Sequence, residues 1–155
     1  MISPEILRKY TFFGFLDDES LGKVAMLAEE VTYSAGASVF TGGDKAKTLY
    51  LLTEGDIDMR YYVEDSTVSG KSKEFSVGEV NPGEPFGLSS LMGKQEYTAT
   101  AVTINGCKCI QLDAVKMLSM AGENPQMGYR LMQQLAIATF ERLDHVRVQF
   151  VAASN

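Results

Sequence analysis

Residues 34–55 have the sequence SAGASVFTGGDKAKTLYLLTEG. Turn signals at Gly36, at Gly42-Gly43-Asp44 and at Glu54-Gly55 bound two apolar runs, residues 38–41 and 49–53. Glycine and aspartate favour turns because they tolerate backbone conformations that most residues avoid. Short apolar runs bounded by such residues are typical of β-strands. The segment therefore predicts two strands with tight turns before, between and after them.

The same punctuated pattern extends on both sides of this segment. Further turn signals lie at Asn81-Pro82-Gly83 and at Asn105-Gly106. Many short strands at this spacing indicate a sandwich or jelly roll. The predicted strands are residues 31–33, 38–41, 49–53, 56–63, 73–80, 98–103 and 107–112, and residues 64–72 are predicted to form a long hairpin loop.

Helical periodicity flanks the β-rich region. Pro4 suits a first helical turn, and Asp17 or Asp18 can cap a second helix. Near the other end, apolar residues recur every three or four positions, which keeps them on one helix face. This C-terminal stripe consists of Met132, Leu135, Thr139, Leu143, Val146 and Phe150.

These zones together predict one domain, residues 1–155, of mainly β class with added α-helices. N-terminal helices occupy residues 1–30, a jelly-roll-like β-roll residues 31–112, and C-terminal helices residues 113–155. We therefore expect a β-roll flanked by short helices and one long C-terminal helix.

Composition narrows the function classes. The net charge of −6 disfavours nucleic acid as a partner, because that affinity depends on clustered lysine and arginine. No basic start with a following apolar run precedes the domain, and no apolar run approaches the roughly 20 residues that span a bilayer. Two cysteines, Cys107 and Cys109, fit a reduced core. We expect a cytoplasmic location and no membrane partner.

Catalytic chemistry has no visible site. His145 is the one histidine, and it lies within the C-terminal helical region. A metal-dependent enzyme with a barrel of this kind needs several histidines. No nucleophile elbow or phosphate-binding loop is present. The sequence predicts no enzyme, no metal ligands and no required cofactor.

Residues 34–55 resemble the opening of the cyclic-nucleotide-binding domain family, of the cAMP receptor protein-like regulatory type. The shared pattern is a turn glycine, an apolar strand, Gly43-Asp44, the apolar-Tyr-apolar strand around Tyr50, and the second glycine, Gly55. The helical entry region before it is also similar. The resemblance implies the β-roll fold and a small-molecule ligand, with cAMP or cGMP as candidates.

The family's ligand chemistry lies in one cassette, here PGEPFGLSSLMGKQEYTAT, residues 82–100. The resemblance implies that a Phe-Gly-Glu step opens a short helix whose N–H groups hold the cyclic phosphate. The glutamate binds the ribose hydroxyl, and an arginine near the end of the cassette clamps the phosphate. The candidate ligand-binding residues are Phe86, Gly87, Leu88, Ser89, Ser90, Tyr97 and Thr98.

Two cassette positions depart from the family. Leu88 stands at the glutamate position and cannot accept a hydrogen bond, and Tyr97 stands at the arginine position. Losing a charged clamp costs about 2–5 kcal/mol, so cyclic-nucleotide binding should be weakened. Lys94 could replace the missing cation or be a solvated loop residue, and the Tyr97 ring could contact a ligand or fill the vacated pocket.

Two hypotheses follow. The first is a non-catalytic sensor or regulatory domain that binds cyclic nucleotide weakly or takes a different small ligand. The alternative is a protein-interaction or dimerisation module whose pocket is filled by its own side chains. In relatives of the regulator type the C-terminal helix forms a dimer interface. The C-terminal stripe therefore predicts a homodimer, although it could instead pack on its own roll. The DNA-reading segment of those relatives is not expected in residues 1–155.

Overall fold

The computed structural model of the chain describes residues 1–64, 72–93 and 96–154. Short 3₁₀ turns occupy Thr11–Phe13 and Leu88–Leu91. The helices are α1 (Pro4–Arg8), α2 (Asp18–Met26), α3 (Ala114–Glu123) and α4 (Pro125–Ala153). The strands are β1 (Ala28–Tyr33), β2 (Ser38–Phe40), β3 (Thr48–Gly55), β4 (Ile57–Glu64), β5 (Ser72–Val80), β6 (Pro85–Phe86), β7 (Thr100–Val102) and β8 (Cys107–Asp113).

The strands form two four-stranded antiparallel sheets. One has the order β1-β8-β3-β6 and the other β2-β7-β4-β5. Several neighbouring strands are distant in sequence, as β1 with β8 and β2 with β7, whereas β4 and β5 are consecutive. The chain therefore winds back and forth between the sheets. The predicted fold class, a β-roll with flanking helices and a long C-terminal helix, is confirmed.

Strand β3 explains how the sequence builds two cores. Its side chains alternate between the two faces of the sheet. Leu49 and Leu51 pack in the cluster formed with the helices, whereas Tyr50 and Leu52 pack in the cluster between the sheets. All four are buried, so β3 has an unbroken apolar run instead of alternating polarity.

The two cysteines lie on β8 in the core between the sheets. Cys107 and Cys109 are buried and free, with their Sγ atoms 3.7 Å apart. Burial, followed by the neighbouring Cys107, raises the pKa of the Cys109 thiol. Both cysteines lie in the core, as the sequence predicts.

Gly55 shows why the second glycine of the opening segment is needed. Its φ is +92°, and a Cβ built there would lie 2.2 Å from the carbonyl oxygen of Gly106. A side chain would therefore collide with the backbone of the turn before β8. The glycine permits the end of β3 to lie beside the start of β8.

The boundary between helices and strands lies earlier than predicted. Helix α2, capped by the Asp17 carboxylate on the N–H of Ser20 at 2.7 Å, ends at Met26. The next strand begins at Ala28, whose partner across the sheet is Leu112. The prediction of helix up to residue 30 was wrong, because pairing with β8 outweighs the apolar spacing that continues from α2.

Other predicted elements agree within a few residues, with two exceptions. The run 98–103 contains only the short strand β7, and β6 was not predicted. Strand β6 is two residues long and precedes Gly87, so neither its length nor its proline indicates a strand. Residues 65–71, most of the predicted hairpin loop, and Lys94 lie outside the described residues.

Helix α4 is buried only in its first half. Met127, Leu131, Leu135 and Ala138 are buried against the rest of the domain. Of the C-terminal stripe only Leu135 belongs to this set. Beyond Ala138 the large apolar side chains are exposed, among them Phe140 at 63%, Leu143 at 44%, Val146 at 41% and Phe150 at 72%.

Candidate ligand-binding cavity

The cassette begins with a tight backbone turn after β6. Phe86 pairs with Tyr50 of β3, and Gly87 follows in the left-handed conformation with φ 73° and ψ 35°. A Cβ on Gly87 would lie 3.1 Å from a ring carbon of Tyr50 and 3.2 Å from the carbonyl oxygen of Thr48. Glycine is therefore favoured by conformation and by space. The turn leads directly into the 3₁₀ turn Leu88–Leu91.

Four aromatic rings form a stack behind this turn. The centroid of Phe40 lies 5.5 Å from that of Tyr50 and 3.9 Å from that of Tyr97. Phe86 stacks on Tyr50 with a centroid distance of 5.1 Å and is fully buried. The aromatic stack, meaning Phe40, Tyr50, Phe86 and Tyr97, forms a fixed wall between the sheets and the cassette.

Tyr97 is bound to the protein through both its ring and its hydroxyl. Its Oη donates to the carbonyl oxygen of Thr48 at 2.6 Å and accepts from the Thr48 N–H at 3.2 Å. Its own N–H donates to the Asp44 carbonyl at 2.9 Å. Burial, partly offset by the hydrogen bonds, raises the pKa of Tyr97, and burial likewise raises the pKa of Tyr50 to about 12. The ring occupies core space that a solvated side chain would leave free.

A cavity of about 260 Å³ remains between the cassette, the second sheet and α4. Of the predicted site residues, Gly87, Leu88, Ser89, Tyr97 and Thr98 line it. The remaining lining residues come from β2, β4, α4 and the cassette itself. They are Phe40, Met59, Met92, Ala99, Thr139 and Arg142.

Two predicted site residues lie behind the cavity wall. Phe86 belongs to the aromatic stack, and the Ser90 hydroxyl donates to the carbonyl oxygen of Gly87 at 2.7 Å. Ser90 therefore stabilises the 3₁₀ turn from inside. Both residues position the cassette without facing the cavity.

Arg142 is the cavity residue that the sequence reasoning missed. It lies on α4, and its guanidinium donates a hydrogen bond to the carbonyl oxygen of Pro85 at the start of β6. Burial lowers the pKa of Arg142, and the Glu84 carboxylate acts in the opposite direction. The search for a cation was confined to the cassette. The sequence signal for this cation was the spacing of Thr139 and Arg142, which lie three residues apart and therefore on one helix face.

A second, larger groove of about 450 Å³ lies elsewhere, where β1 and β8 meet the start of α3. Its charged lining residues have both signs, as Lys47 and Lys116 stand with Glu29 and Asp113. None of its lining residues belongs to the cassette. The cavity beside α4 is the one that the cassette forms.

Comparison with known proteins places this geometry in a family. Residues 30–124 match the sequence profile of the cyclic nucleotide-binding domain. A solved structure from Geobacter metallireducens GS-15, described as a cyclic nucleotide-binding protein, is 34% identical with a TM-score of 0.80, and the match covers 92% of this chain and 99% of that one. The chain belongs to the cyclic nucleotide-binding domain family.

Two curated relatives are regulatory proteins. The regulatory subunit of a cAMP-dependent protein kinase from Dictyostelium discoideum is 28% identical over 83% of this chain. A cAMP-activated global transcriptional regulator from Mycobacterium tuberculosis is 21% identical over 85% of this chain. The chain spans 38% of the length of the first and 56% of the second. Among the described residues no helix is long and apolar enough to cross a membrane.

Proposed function

We propose that this domain is a non-catalytic ligand sensor whose cavity, between the cassette and α4, binds a cyclic nucleotide weakly or takes a different small ligand. The observation that carries the proposal is the cavity of about 260 Å³ itself, which remains open although Tyr97 is inserted into the core. A cavity with apolar walls and a few polar groups is typical of small-molecule sites.

The lining chemistry fits a small molecule with a flat apolar part and a polar end. Met59, Leu88 and Met92 supply apolar contact, and the ring of Tyr97 supplies a flat surface. Hydroxyl groups of Ser89, Thr98 and Thr139 are the polar groups, together with Arg142. Since Leu88 cannot bind a ribose hydroxyl, affinity for a cyclic nucleotide should fall below that of a complete cassette.

Calorimetric titration with cAMP and with cGMP tests the proposal. We expect saturable binding with a dissociation constant weaker than about 10 μM, which corresponds to less than about 7 kcal/mol of binding free energy. Binding tighter than about 1 μM would contradict the weakened cassette. If neither nucleotide binds at millimolar concentration, the proposal holds only for a different small ligand.

A matched pair of tryptophan variants localises the binding. The chain has no tryptophan, so a single one is a clean fluorescent reporter. Met92 lines the cavity and is 53% exposed, whereas Met26 is 68% exposed and lies away from it. Ligand should change the emission of Met92→Trp and not that of Met26→Trp. Equal responses would place the ligand outside the cavity.

A second role is favoured by the exposed half of α4. The apolar side chains of Phe140, Leu143, Val146 and Phe150 form an exposed face on this half of the helix. Exposed apolar patches of this kind mark interaction sites. The proposal therefore includes a homodimer through α4, as the C-terminal stripe predicts. The buried free cysteines support a cytoplasmic location, which is also part of the proposal.

A further inference from the structure

Arg142 is the one charged side chain among the described residues that line the cavity. It lies on α4, so the positive charge is on the helix side of the cavity. The cassette residues that line the cavity are uncharged. Tyr97 stands where the family's cassette carries an arginine, and its hydroxyl is bound to the backbone of Thr48. A cation has thus been lost from one wall of the cavity and is present on another.

The environment of Arg142 leaves its charge incompletely paired. The side chain is partly buried and donates one hydrogen bond, to the Pro85 carbonyl oxygen. Across residues 1–64, 72–93 and 96–154, no carboxylate lies within the 4.0 Å that defines an ion pair with it. A guanidinium has five N–H donors and remains charged at neutral pH. Partial burial of a charge costs free energy unless an opposite charge compensates it, and the Glu84 carboxylate offsets this cost only in part.

We infer that Arg142 binds the anionic group of this domain's ligand, in place of the arginine that the cassette lacks. This inference rests on the proposed function. The ligand class that fits is a small organic anion with a phosphate-type group, whose oxygens meet the guanidinium and the hydroxyls of Ser89 and Thr98. Its apolar part lies against Met59 and Met92.

A structural consequence follows from the place of Arg142 in the chain. The same guanidinium bonds the Pro85 carbonyl at the start of β6, so an anion bound to it is held by α4 and by β6 together. Ligand binding would then fix the position of α4 relative to the cassette.

Four proteins test this inference: the wild type, Arg142→Met, Arg142→Lys and Arg147→Met. Arg147 is the matched control because it lies on the same helix, is exposed, and has its guanidinium carbon 6.0 Å from the Phe140 ring. Calorimetry measures cAMP affinity, and thermal unfolding measures stabilisation by inorganic phosphate against chloride at equal ionic strength. Circular dichroism verifies that each variant is folded.

We expect Arg142→Met to weaken cAMP binding at least about tenfold and to abolish stabilisation by phosphate. Arg147→Met should change affinity by less than about twofold. Arg142→Lys should lie between, because it retains the charge but not the planar fork. If Arg142→Met does not fold, an intermediate affinity of Arg142→Lys supports the inference and an unchanged affinity overturns it.

Failure of the inference and failure of the proposed function are distinguishable. Equal affinities of Arg142→Met and Arg147→Met overturn the role of Arg142 and leave nucleotide sensing intact. No cAMP binding by the wild type, with phosphate stabilisation lost only in Arg142→Met, removes the cyclic nucleotide and supports the anion site. No response to either probe overturns the anion site and excludes a cyclic nucleotide as the ligand.

Discussion

The aromatic stack and α4 each form part of the wall of one cavity, and they are held in different ways. Tyr97 is 5% exposed, stacked on Phe40 and bonded twice to the backbone of Thr48. On α4, Thr139 is exposed, and Arg142 bonds the helix to the Pro85 carbonyl. The first wall is part of the core, and the second is the border of a helix whose outer half is exposed.

The cassette has one role in the packing of the core and another in binding a ligand, and this difference separates the two. Phe86 and Gly87 match the family pattern, whereas Leu88 and Tyr97 stand at its glutamate and arginine positions. Local stability follows burial, so α4 beyond Ala138 should open at lower free energy than the stack. A ligand that contacts both walls would therefore act mainly on α4. The predictions below test whether the walls differ in this way.

The largest effect is expected from removing the Tyr97 ring. Tyr97→Ala leaves a space beside Phe40 and should lower the free energy of unfolding by about 3–5 kcal/mol, as measured by urea denaturation. Tyr97→Phe retains the ring but leaves the Thr48 backbone groups without the hydroxyl. It should cost about 1–3 kcal/mol. A change below about 1 kcal/mol in Tyr97→Ala would mean that the ring is not part of the core.

The second effect concerns the exposed half of α4. If two copies meet there, Leu143→Glu with Val146→Glu buries charge in an apolar interface. The dimer dissociation constant should rise at least about a hundredfold, which is about 2.8 kcal/mol, in sedimentation or light scattering. Each monomer should retain its stability, because both side chains are already exposed.

A charge-matched control separates the interface from a general charge effect. Gln133→Glu with Gln149→Glu adds two negative charges to the same helix outside the C-terminal stripe. This control should leave the dimer intact. A wild type that is monomeric at high concentration would contradict the dimer and leave α4 as a single-copy wall.

Much of this architecture could be predicted from the sequence, because turn residues and strand periodicity report backbone needs. The segment 34–55 predicts β2 and β3 nearly at their observed bounds. The end of α2 was misplaced because apolar spacing alone does not show that Ala28 pairs with Leu112. That pairing joins residues far apart in the chain, which local periodicity does not detect.

The site was predictable in part. Five of the seven candidate residues line the cavity, since a contiguous cassette stays contiguous in space. Arg142 is 45 residues beyond Tyr97 in the chain, so only the folded structure brings it to the same cavity. The sequence allowed the Tyr97 ring either to contact a ligand or to fill the vacated pocket. Packing against Phe40 places the ring in the core.

A smaller effect is expected at the cassette turn. Gly87→Ala puts a Cβ 3.1 Å from the Tyr50 ring at a φ of +73°, and it should cost about 2–3 kcal/mol of stability. Gly93→Ala is the matched control, because φ is +67° but no atom of the described residues lies within 4 Å of its Cβ. It should cost about 1 kcal/mol. Equal costs would mean that the stack can move, contrary to the fixed wall.

The smallest expected effect, and the sharpest test of the cassette, is the restoration of the family residues. Leu88→Glu with Tyr97→Arg supplies the ribose acceptor and the phosphate clamp on the β-roll side. Affinity for a cyclic nucleotide should rise at least about tenfold, or about 1.4 kcal/mol, by calorimetry. Each single variant should gain less, because a partly buried carboxylate at position 88 has a desolvation cost when the arginine is missing.

The restoration competes with the role of Tyr97 in the core. Replacing the tyrosine removes the bonds to Thr48, so affinity is compared only at temperatures where circular dichroism shows the variant folded. A gain in affinity despite lower stability would show that the backbone from Gly87 to Leu91 is still arranged for phosphate. A folded double variant that binds no better than the wild type would mean that this side of the cavity has become a structural wall. The anion site would then depend on α4 alone, and Arg142→Met in the double variant should abolish any remaining binding.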